Sequence, residues 1–338
     1  MRHRASDGLF ARLVSPEHID AAVTRTTRGK LRRPDVAAFL VDRERHVVAI
    51  TRALGNATWR PSPYSLLCLR DPKPRLIARA SVADRVVHSA VAMLLEPLIL
   101  RSASEADSAC RKGFGTHRAR LRLLRAMREH RFALHLDVRS YFPSVVPEGV
   151  QAQLRRFTCD EDLLNVVAAI LACGRGIYDT PRARRFAHID PDWPPPGRGL
   201  PMGSVTSQLF ATHLYLQRFD HDVKRRMGVT GYLRYVDDIF VFADSRARLR
   251  ALREEIGRVL GADYELRLKH PSAPVLSCRG HLDALGARIR RTGIEPLPEA
   301  MARMRALCWD WVRERGPVRT RAALERSVAA RMGLLFGL

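Results

Sequence analysis

Gly231-Tyr232-Leu233-Arg234-Tyr235-Val236-Asp237-Asp238-Ile239-Phe240-Val241-Phe242-Ala243-Asp244 sets two adjacent aspartates inside a run of aromatic and β-branched residues. Such residues favour strands on both sides of the acids. Carboxylates buried there are costly unless they pair or bind a metal. The pattern predicts a tight hairpin with both acids at its tip. A divalent metal site for phosphoryl chemistry would sit at such a tip. An ordinary Asp-rich hairpin turn has the same appearance, so this stretch alone leaves both readings open.

A second strand pattern, Phe132-Ala133-Leu134-His135-Leu136-Asp137-Val138, ends in one acid and continues as Arg139-Ser140-Tyr141-Phe142-Pro143-Ser144-Val145. A lone Asp after a strand is usually a helix cap or a turn residue. This one lies upstream of the acid pair, with a glycine-containing loop and a long helix between them. Three carboxylates from two neighbouring strands can hold two Mg²⁺ ions in line with a transferring phosphate.

Further blocks stand in order around these acids. They are Asp71-Pro72-Lys73-Pro74-Arg75-Leu76-Ile77, Asp84-Arg85-Val86-Val87-His88, Leu95-Glu96-Pro97 and Asp107-Ser108-Ala109-Cys110-Arg111-Lys112-Gly113-Phe114-Gly115-Thr116-His117. After the Asp137 strand comes Gly199-Leu200-Pro201-Met202-Gly203-Ser204-Val205-Thr206-Ser207-Gln208. Taken together, from roughly residue 30 to residue 335, the chain resembles a bacterial reverse transcriptase. The Arg-Lys-Gly-x-Gly-Thr-His run and the apolar residue before Gly203 most resemble those of diversity-generating retroelements.

The resemblance implies a right-hand polymerase fold of the α+β class, with fingers, palm and a short helical thumb. It implies that Asp137 and Asp237 bind metal directly, that Asp238 belongs to the same site, and that the Val138 carbonyl is a backbone ligand. The cofactor implied is a pair of Mg²⁺ ions, with Mn²⁺ as a substitute. Phe142, five residues after Asp137, takes the place of the aromatic steric gate that excludes a ribose 2′-hydroxyl; without the resemblance it reads as a core aromatic. Arg75 matches the fingers arginine that grips the incoming triphosphate, with Lys73 and Arg79 beside it. A solvated basic edge strand is the plainer reading of these three cations.

Gly203 lies at a loop-to-helix junction, where glycine permits close approach to a ligand and the helix start favours phosphate. Gln208 closes that block and is expected to contact nucleotide with it. Many reverse transcriptases carry Gln where this chain has Met202. A methionine cannot donate the hydrogen bond that a Gln would make to the incoming nucleotide, which implies low fidelity; a simple packing swap is the alternative. The family's lysine after its Leu-x-Leu strand is out of register here. Lys269 is the nearest substitute as a general acid toward pyrophosphate, with His270 and His281 close by. The palm's usual aromatic-Leu-Gly turn appears as Ala284-Leu285-Gly286.

Bulk properties agree with a polyanion partner. The 338 residues are 46% hydrophobic and carry 58 Lys+Arg against 35 Asp+Glu, a net charge of +23. That charge releases counterions from nucleic-acid phosphates. The basic residues are spread along the chain instead of lying on one amphipathic helix, which argues against a membrane surface. No Cys-x-x-Cys occurs among Cys68, Cys110, Cys159, Cys173, Cys278 and Cys308, so they read as reduced thiols and not as zinc ligands. With no signal-type apolar segment at the start, a cytoplasmic location is expected.

Along the chain, residues 1–30 read as a loosely ordered basic extension, 31–130 as fingers, 131–290 as palm and 291–338 as a short thumb. Within these, a helix is expected from Pro34 to Leu54, and a strand pair at 65–70 and 75–80. Ser81 should cap a helix ending at Glu96, and a basic helix should run from His117 to His130 with a stripe of Leu121, Leu123, Leu124 and Met127. Another helix is expected over Glu161–Ala172, a long Pro-rich loop over 174–200, one helix over Ser204–Met227, and one near Arg246–Leu260. A strand near Leu282–Ile289 and two terminal helices complete the reading. The function expected is cDNA synthesis from an RNA template, using dNTPs and a DNA or RNA primer. The short thumb implies a weak grip, so a small accessory protein and structured RNA are expected partners. The alternatives are a defence-associated or retron-like reverse transcriptase, a non-catalytic basic RNA-binding protein with a polymerase-like fold, and an RNA-dependent RNA polymerase. The three acids oppose the second and Phe142 the third.

Overall fold

The computed structural model describes residues 8–69, 74–313 and 320–336. The chain divides into two compact units, each assembled from separate segments. One holds the chain through Ser104 with Val138–Asp220 and Gly257–Lys269; the other holds Glu105–Asp137, His221–Ile256 and the chain from His270 onward. The helix-and-sheet composition is that of an α+β protein.

In the first unit, the buried spine is the Val82–Arg101 helix, capped by the Ser81 hydroxyl, which accepts from the Asp84 N–H. It runs through Pro97 instead of stopping at Glu96. An internal proline costs about 3 kcal/mol. Beyond the proline Ile99 is fully buried and Leu98 and Leu100 are half-buried, and at roughly 1.5–3 kcal/mol for a fully buried side chain this burial offsets the cost. The segment expected to be loosely ordered contains two helices, Leu9–Leu13 and Pro16–Thr27. Ile19, Ala22 and Val23 are fully buried, and the His18 ring bonds the Ala90 carbonyl at 3.0 Å. Its charge is all on one side of an apolar stripe, which composition alone hides. The expected 34–54 helix is two, Pro34–Val41 and Arg43–Gly55, broken where Asp42 leaves helical geometry (φ −112°, ψ 39°).

Strands β1 (Ser65–Leu69) and β2 (Arg75–Arg79) pair antiparallel with Leu69 opposite Arg75. Residues 174–200 are not structureless. They include a Pro181–Phe186 helix and pack Tyr178, Ala183 and Ile189 against Leu76 of β2. The expected Ser204–Met227 helix is interrupted. Val205–Leu209 is α-helical, and Phe210–Leu214 is a π-helical turn in which the Tyr215 N–H reaches the Phe210 carbonyl at 2.8 Å. The wider turn lets Phe210, Leu214, Tyr215 and Leu216 all be buried.

The second unit is built on a sheet of β3 (Phe132–Asp137), β4 (Gly231–Tyr235), β5 (Asp238–Ala243) and β6 (Leu276–Ser277), ordered β4-β5-β3-β6 and antiparallel throughout. The Thr116–Glu129 helix covers one face, burying Leu123 and Met127 against Ala133, Leu233, Phe240 and Phe242. Leu121, expected in this apolar stripe, is 46% exposed. The strand expected at Leu282–Ile289 is a hairpin, β7 (Leu282–Ala284) and β8 (Ala287–Arg290), extended by β9 (Gly293–Pro296). Leu285 and Gly286 form its two-residue turn with φ 51° and 76°, the geometry that fits the strand twist. The Arg120 guanidinium donates to the Leu285 carbonyl at 2.6 Å and holds that turn. The helices Pro298–Val312 and Arg321–Phe336 follow.

Candidate active site

The three acids fall in the second unit, at one end of its sheet. β4 and β5 are joined by a two-residue turn, Val236-Asp237, between the paired Tyr235 and Asp238. Val236 has φ 59°, which is strained for a β-branched residue. The cost of that conformation is what sets Asp237 at the tip. Asp137, the last residue of β3, stands directly opposite Asp238 in the β3–β5 register. Cross-strand partners share a face of the sheet. His135, Asp137, Asp238 and Phe240 therefore line one face, and the hairpin carries Asp237 beside them.

Several contacts brace this end. The Arg234 side chain donates to the Val236 carbonyl at 3.0 Å and lies 3.6 Å from Asp107, both residues being buried. The backbone around Asp107 joins in: the Arg234 N–H donates to the Ala106 carbonyl and the Ser108 N–H to the Arg234 carbonyl, each at 2.9 Å. The Tyr235 hydroxyl meets the Thr116 hydroxyl at 2.8 Å. The His135 Nε2 lies 2.7 Å from Asp238 Oδ1.

Hard carboxylate oxygens are the donor type that suits Mg²⁺ or Mn²⁺. The donor chemistry of Asp137, Asp237 and Asp238 suits such an ion, and the register sets Asp137 opposite Asp238 with Asp237 in the adjoining turn. Among the described residues, no three His, Cys, Asp or Glu side chains are drawn together tightly enough to form a preassembled cation cluster.

The other expected site residues lie in the first unit, apart from Lys73, which is outside the described residues. Val138 is buried and pairs with Leu268 in an isolated bridge. Lys269, the next residue after that partner, is exposed. Phe142 is half-buried, and its carbonyl accepts from the Leu200 N–H at 2.8 Å. Tyr178 ties this point to Met202. Its hydroxyl donates to the Leu200 carbonyl at 3.0 Å and accepts from the Met202 N–H at 3.2 Å. Burial pushes the Tyr178 phenol up to about 12, so it stays a donor.

Met202 and Gly203 are brought onto β2. The Met202 carbonyl accepts from the Ala78 N–H at 2.8 Å. Gly203 has φ 108°, and a Cβ there would meet Ile77 Cγ2 at 2.8 Å. The glycine is thus required by the contact with β2. Arg75 and Arg79 project from β2 into solvent, and Gln208 is exposed on the following helix.

Arg79 and Gly203 line a cavity of about 440 Å³ that also takes in Arg25, Lys30, Arg33 and Arg85. Arg25 pairs with Glu96 and Arg85 with Asp35. Burial, with Arg85 and Arg33 nearby, draws the Lys30 ammonium below its usual range. His88, at the cavity wall, bonds Ser204 Oγ and Thr206 Oγ1 through Nδ1 at 2.7 and 3.1 Å, and burial pushes it down to about 4.

Reasoning from sequence missed Arg234, Asp107, His135 and Tyr178 as supports. A charged residue in the middle of an apolar strand was the available signal for Arg234.

The family described as reverse transcriptase (RNA-dependent DNA polymerase) matches residues 70–271, more than half of the chain. No curated protein matches the sequence. Among solved structures, apo telomerase from Candida tropicalis is similar with a TM-score of 0.49 at 10% identity, covering 70% of this chain and 49% of its own. Telomerase from Candida albicans in complex with a fragment of telomeric RNA gives 0.48 at 10% identity, covering 86% and 59%. A partial Cas6-RT-Cas1–Cas2 complex gives 0.41 at 18% identity, covering 75% and 43%. The chain thus spans about half the length of these structures, and at such values the likeness carries no functional argument.

Proposed function

Because the chain belongs to the reverse transcriptase (RNA-dependent DNA polymerase) family, and so is a nucleotidyltransferase, we propose that it copies an RNA template into cDNA by two-metal chemistry, at low fidelity, as part of a diversity-generating retroelement. The observation that carries the reading is the register that sets Asp137 against Asp238, with Asp237 on the strained turn beside them. Asp137, Asp237 and the Val138 carbonyl would hold the Mg²⁺ ions, and Asp238 would complete the site. When bound, the ions supply Lewis-acid activation of the primer 3′-hydroxyl and neutralise charge on the triphosphate.

The chain's own groups then select and orient. Arg75, with Lys73 and Arg79, grips the triphosphate through charge-assisted hydrogen bonds. The Phe142 ring lies under the sugar and excludes a 2′-hydroxyl. Met202 offers the incoming nucleotide no donor, Gly203 lets it approach the backbone, and Gln208 flanks it. Lys269 gives a proton to the leaving pyrophosphate. Lys30 and Arg33 hold template phosphates in the basic cavity. In this reading residues 1–30 are a basic N-terminal extension, residues 31–130 act as fingers, residues 131–290 as palm and residues 291–338 as thumb. Structured RNA and a small accessory protein are the chain's partners in this reading. No described helix is long and apolar enough to cross a membrane, and the reading is of a cytoplasmic enzyme.

Primer extension with Asp137→Asn and Asp237→Asn tests the assignment. Both variants should lose dNTP incorporation while their melting temperature and RNA binding stay near those of the parent chain. Unchanged extension by either variant would overturn it.

A further inference from the structure

His135 was not among the residues read as functional, yet it makes a direct contact with one of the three acids. Its Nε2 lies 2.7 Å from Asp238 Oδ1. Its ring is stacked on Phe240, with centroids 4.5 Å apart and planes within 18°. His135, Asp137, Asp238 and Phe240 belong to the same face of two paired strands. Phe240 is fully buried in the core under the Thr116–Glu129 helix. The imidazole is therefore clamped from below by a fixed aromatic ring and reaches along the sheet to the carboxylate diagonally across from it.

That arrangement constrains Asp238. Asp and His side chains have few rotatable bonds, and the stack removes the freedom of the ring. With Nε2–H donating, Asp238 Oδ1 is committed to His135 and only the other oxygen is free to turn toward a cation. Supporting hydrogen bonds of this kind orient metal-binding carboxylates, and their loss commonly costs 10–100-fold in affinity. A third carboxylate at a strand end already carrying Asp137 and Asp237 also repels them, and the donor on Oδ1 draws charge away from that repulsion.

We propose that His135 is a positioning residue of the nucleotidyl-transfer site: held by Phe240, it engages one carboxylate oxygen of Asp238 and leaves the other as the one that would serve a divalent ion. This rests on the reading of the three aspartates as the metal site. It gives Asp238 a supporting part in metal binding while Asp137 and Asp237 bind directly.

Mn²⁺ binding to the full chain, followed by electron paramagnetic resonance, tests this without relying on polymerisation. His135→Ala should weaken Mn²⁺ binding by about tenfold and leave thermal melting within a few degrees of the parent. His135→Gln, which keeps a donor, should recover part of the loss. In an Asp238→Asn background, His135→Ala should add nothing further, because it acts through that carboxylate. In primer extension, the apparent metal requirement should rise more than the rate at saturating metal falls. Parent-like Mn²⁺ affinity in His135→Ala overturns the inference while leaving the aspartate site standing. An equal loss with and without Asp238 also overturns it, because the effect is then not transmitted by the hydrogen bond. A parent chain that binds no Mn²⁺ in a manner sensitive to Asp237→Asn overturns the metal-site reading itself.

Discussion

The fully buried Arg234 guanidinium sits 3.6 Å from the Asp107 carboxylate, itself 1% exposed, and the same guanidinium donates to the carbonyl of strained Val236. An ion pair removed from water is a poor source of net stability, because desolvation offsets much of the attraction. Here it holds a specific shape, the turn that carries Asp237.

Breaking the pair should therefore be costly in two ways. Asp107→Ala leaves a buried cation, and about 3–5 kcal/mol of unfolding free energy should be lost. The double variant Asp107→Leu/Arg234→Met should regain most of that stability, since no charge is stranded. It should still extend primers poorly, because nothing then anchors the Val236 carbonyl. Urea denaturation and primer extension on the same samples check this. Parent-like activity in the stable double variant would show that the turn keeps its shape unaided.

How much of this could be read beforehand depends on the range of the interactions. The hairpin and the Asp137 strand were legible because strand propensity and acid placement are local. The register Asp137 to Asp238 is not local, and from sequence only the neighbouring of the two strands was expected. The breaks at Asp42 and at Phe210–Leu214 were not legible, since both depend on which side chains find room in the core. The Arg234–Asp107 pair joins residues 127 positions apart (234 − 107). In sequence, each is only a charge in a hydrophobic context. The burial of Trp193 and Tyr178 in a segment rich in Pro and Gly was hidden because its turns look like an open loop.

Phe142 is half-buried, and its backbone is fixed through Leu200 and Tyr178. Phe142→Ala should open space at the sugar and admit ribonucleotides, lowering the preference for dNTP by at least tenfold. The ratio of incorporation efficiencies for a matched dNTP and rNTP measures it. An unmoved ratio would remove Phe142 as the gate.

Met202 shares its backbone bonds with Ala78 and Tyr178, so its side chain can be exchanged without disturbing either bond. Met202→Gln should lower misincorporation several-fold, as a donor is restored where the nucleotide is checked. Sequencing cDNA made by both proteins on one template decides it. Equal error spectra would mean that Met202 is a packing residue.

His88 predicts a pH dependence of stability. Its folded pKa is pushed by burial to about 4, below the ordinary 6.5. The unfolded chain takes up this proton as pH falls through 6.5, whereas the folded chain does not until about 4. Its contribution is thus complete above pH 6.5 and is lost on acidification, by up to about 1.4 kcal/mol per pH unit. Between pH 7 and 5.5 the parent should lose about 1 kcal/mol more than His88→Gln. Parallel curves for the two proteins would mean that His88 titrates normally.

The basic cavity predicts a salt dependence that can be assigned to residues. Lys30, Arg33 and Arg79 line it, while its Arg25 and Arg85 are each matched by a carboxylate. Neutralising a single-strand phosphate contributes about 0.7 to the slope of log K against log salt. Lys30→Gln/Arg33→Gln should therefore flatten the slope for single-stranded RNA by about 1.4. Affinity for a free dNTP, whose triphosphate is assigned to Arg75, Lys73 and Arg79, should be unchanged. Fluorescence anisotropy of a labelled oligonucleotide across a salt series measures the first, and competition by unlabelled dNTP the second. If the double variant keeps the parent slope, the template runs elsewhere. If it loses dNTP affinity instead, the cavity belongs to the nucleotide and not to the template.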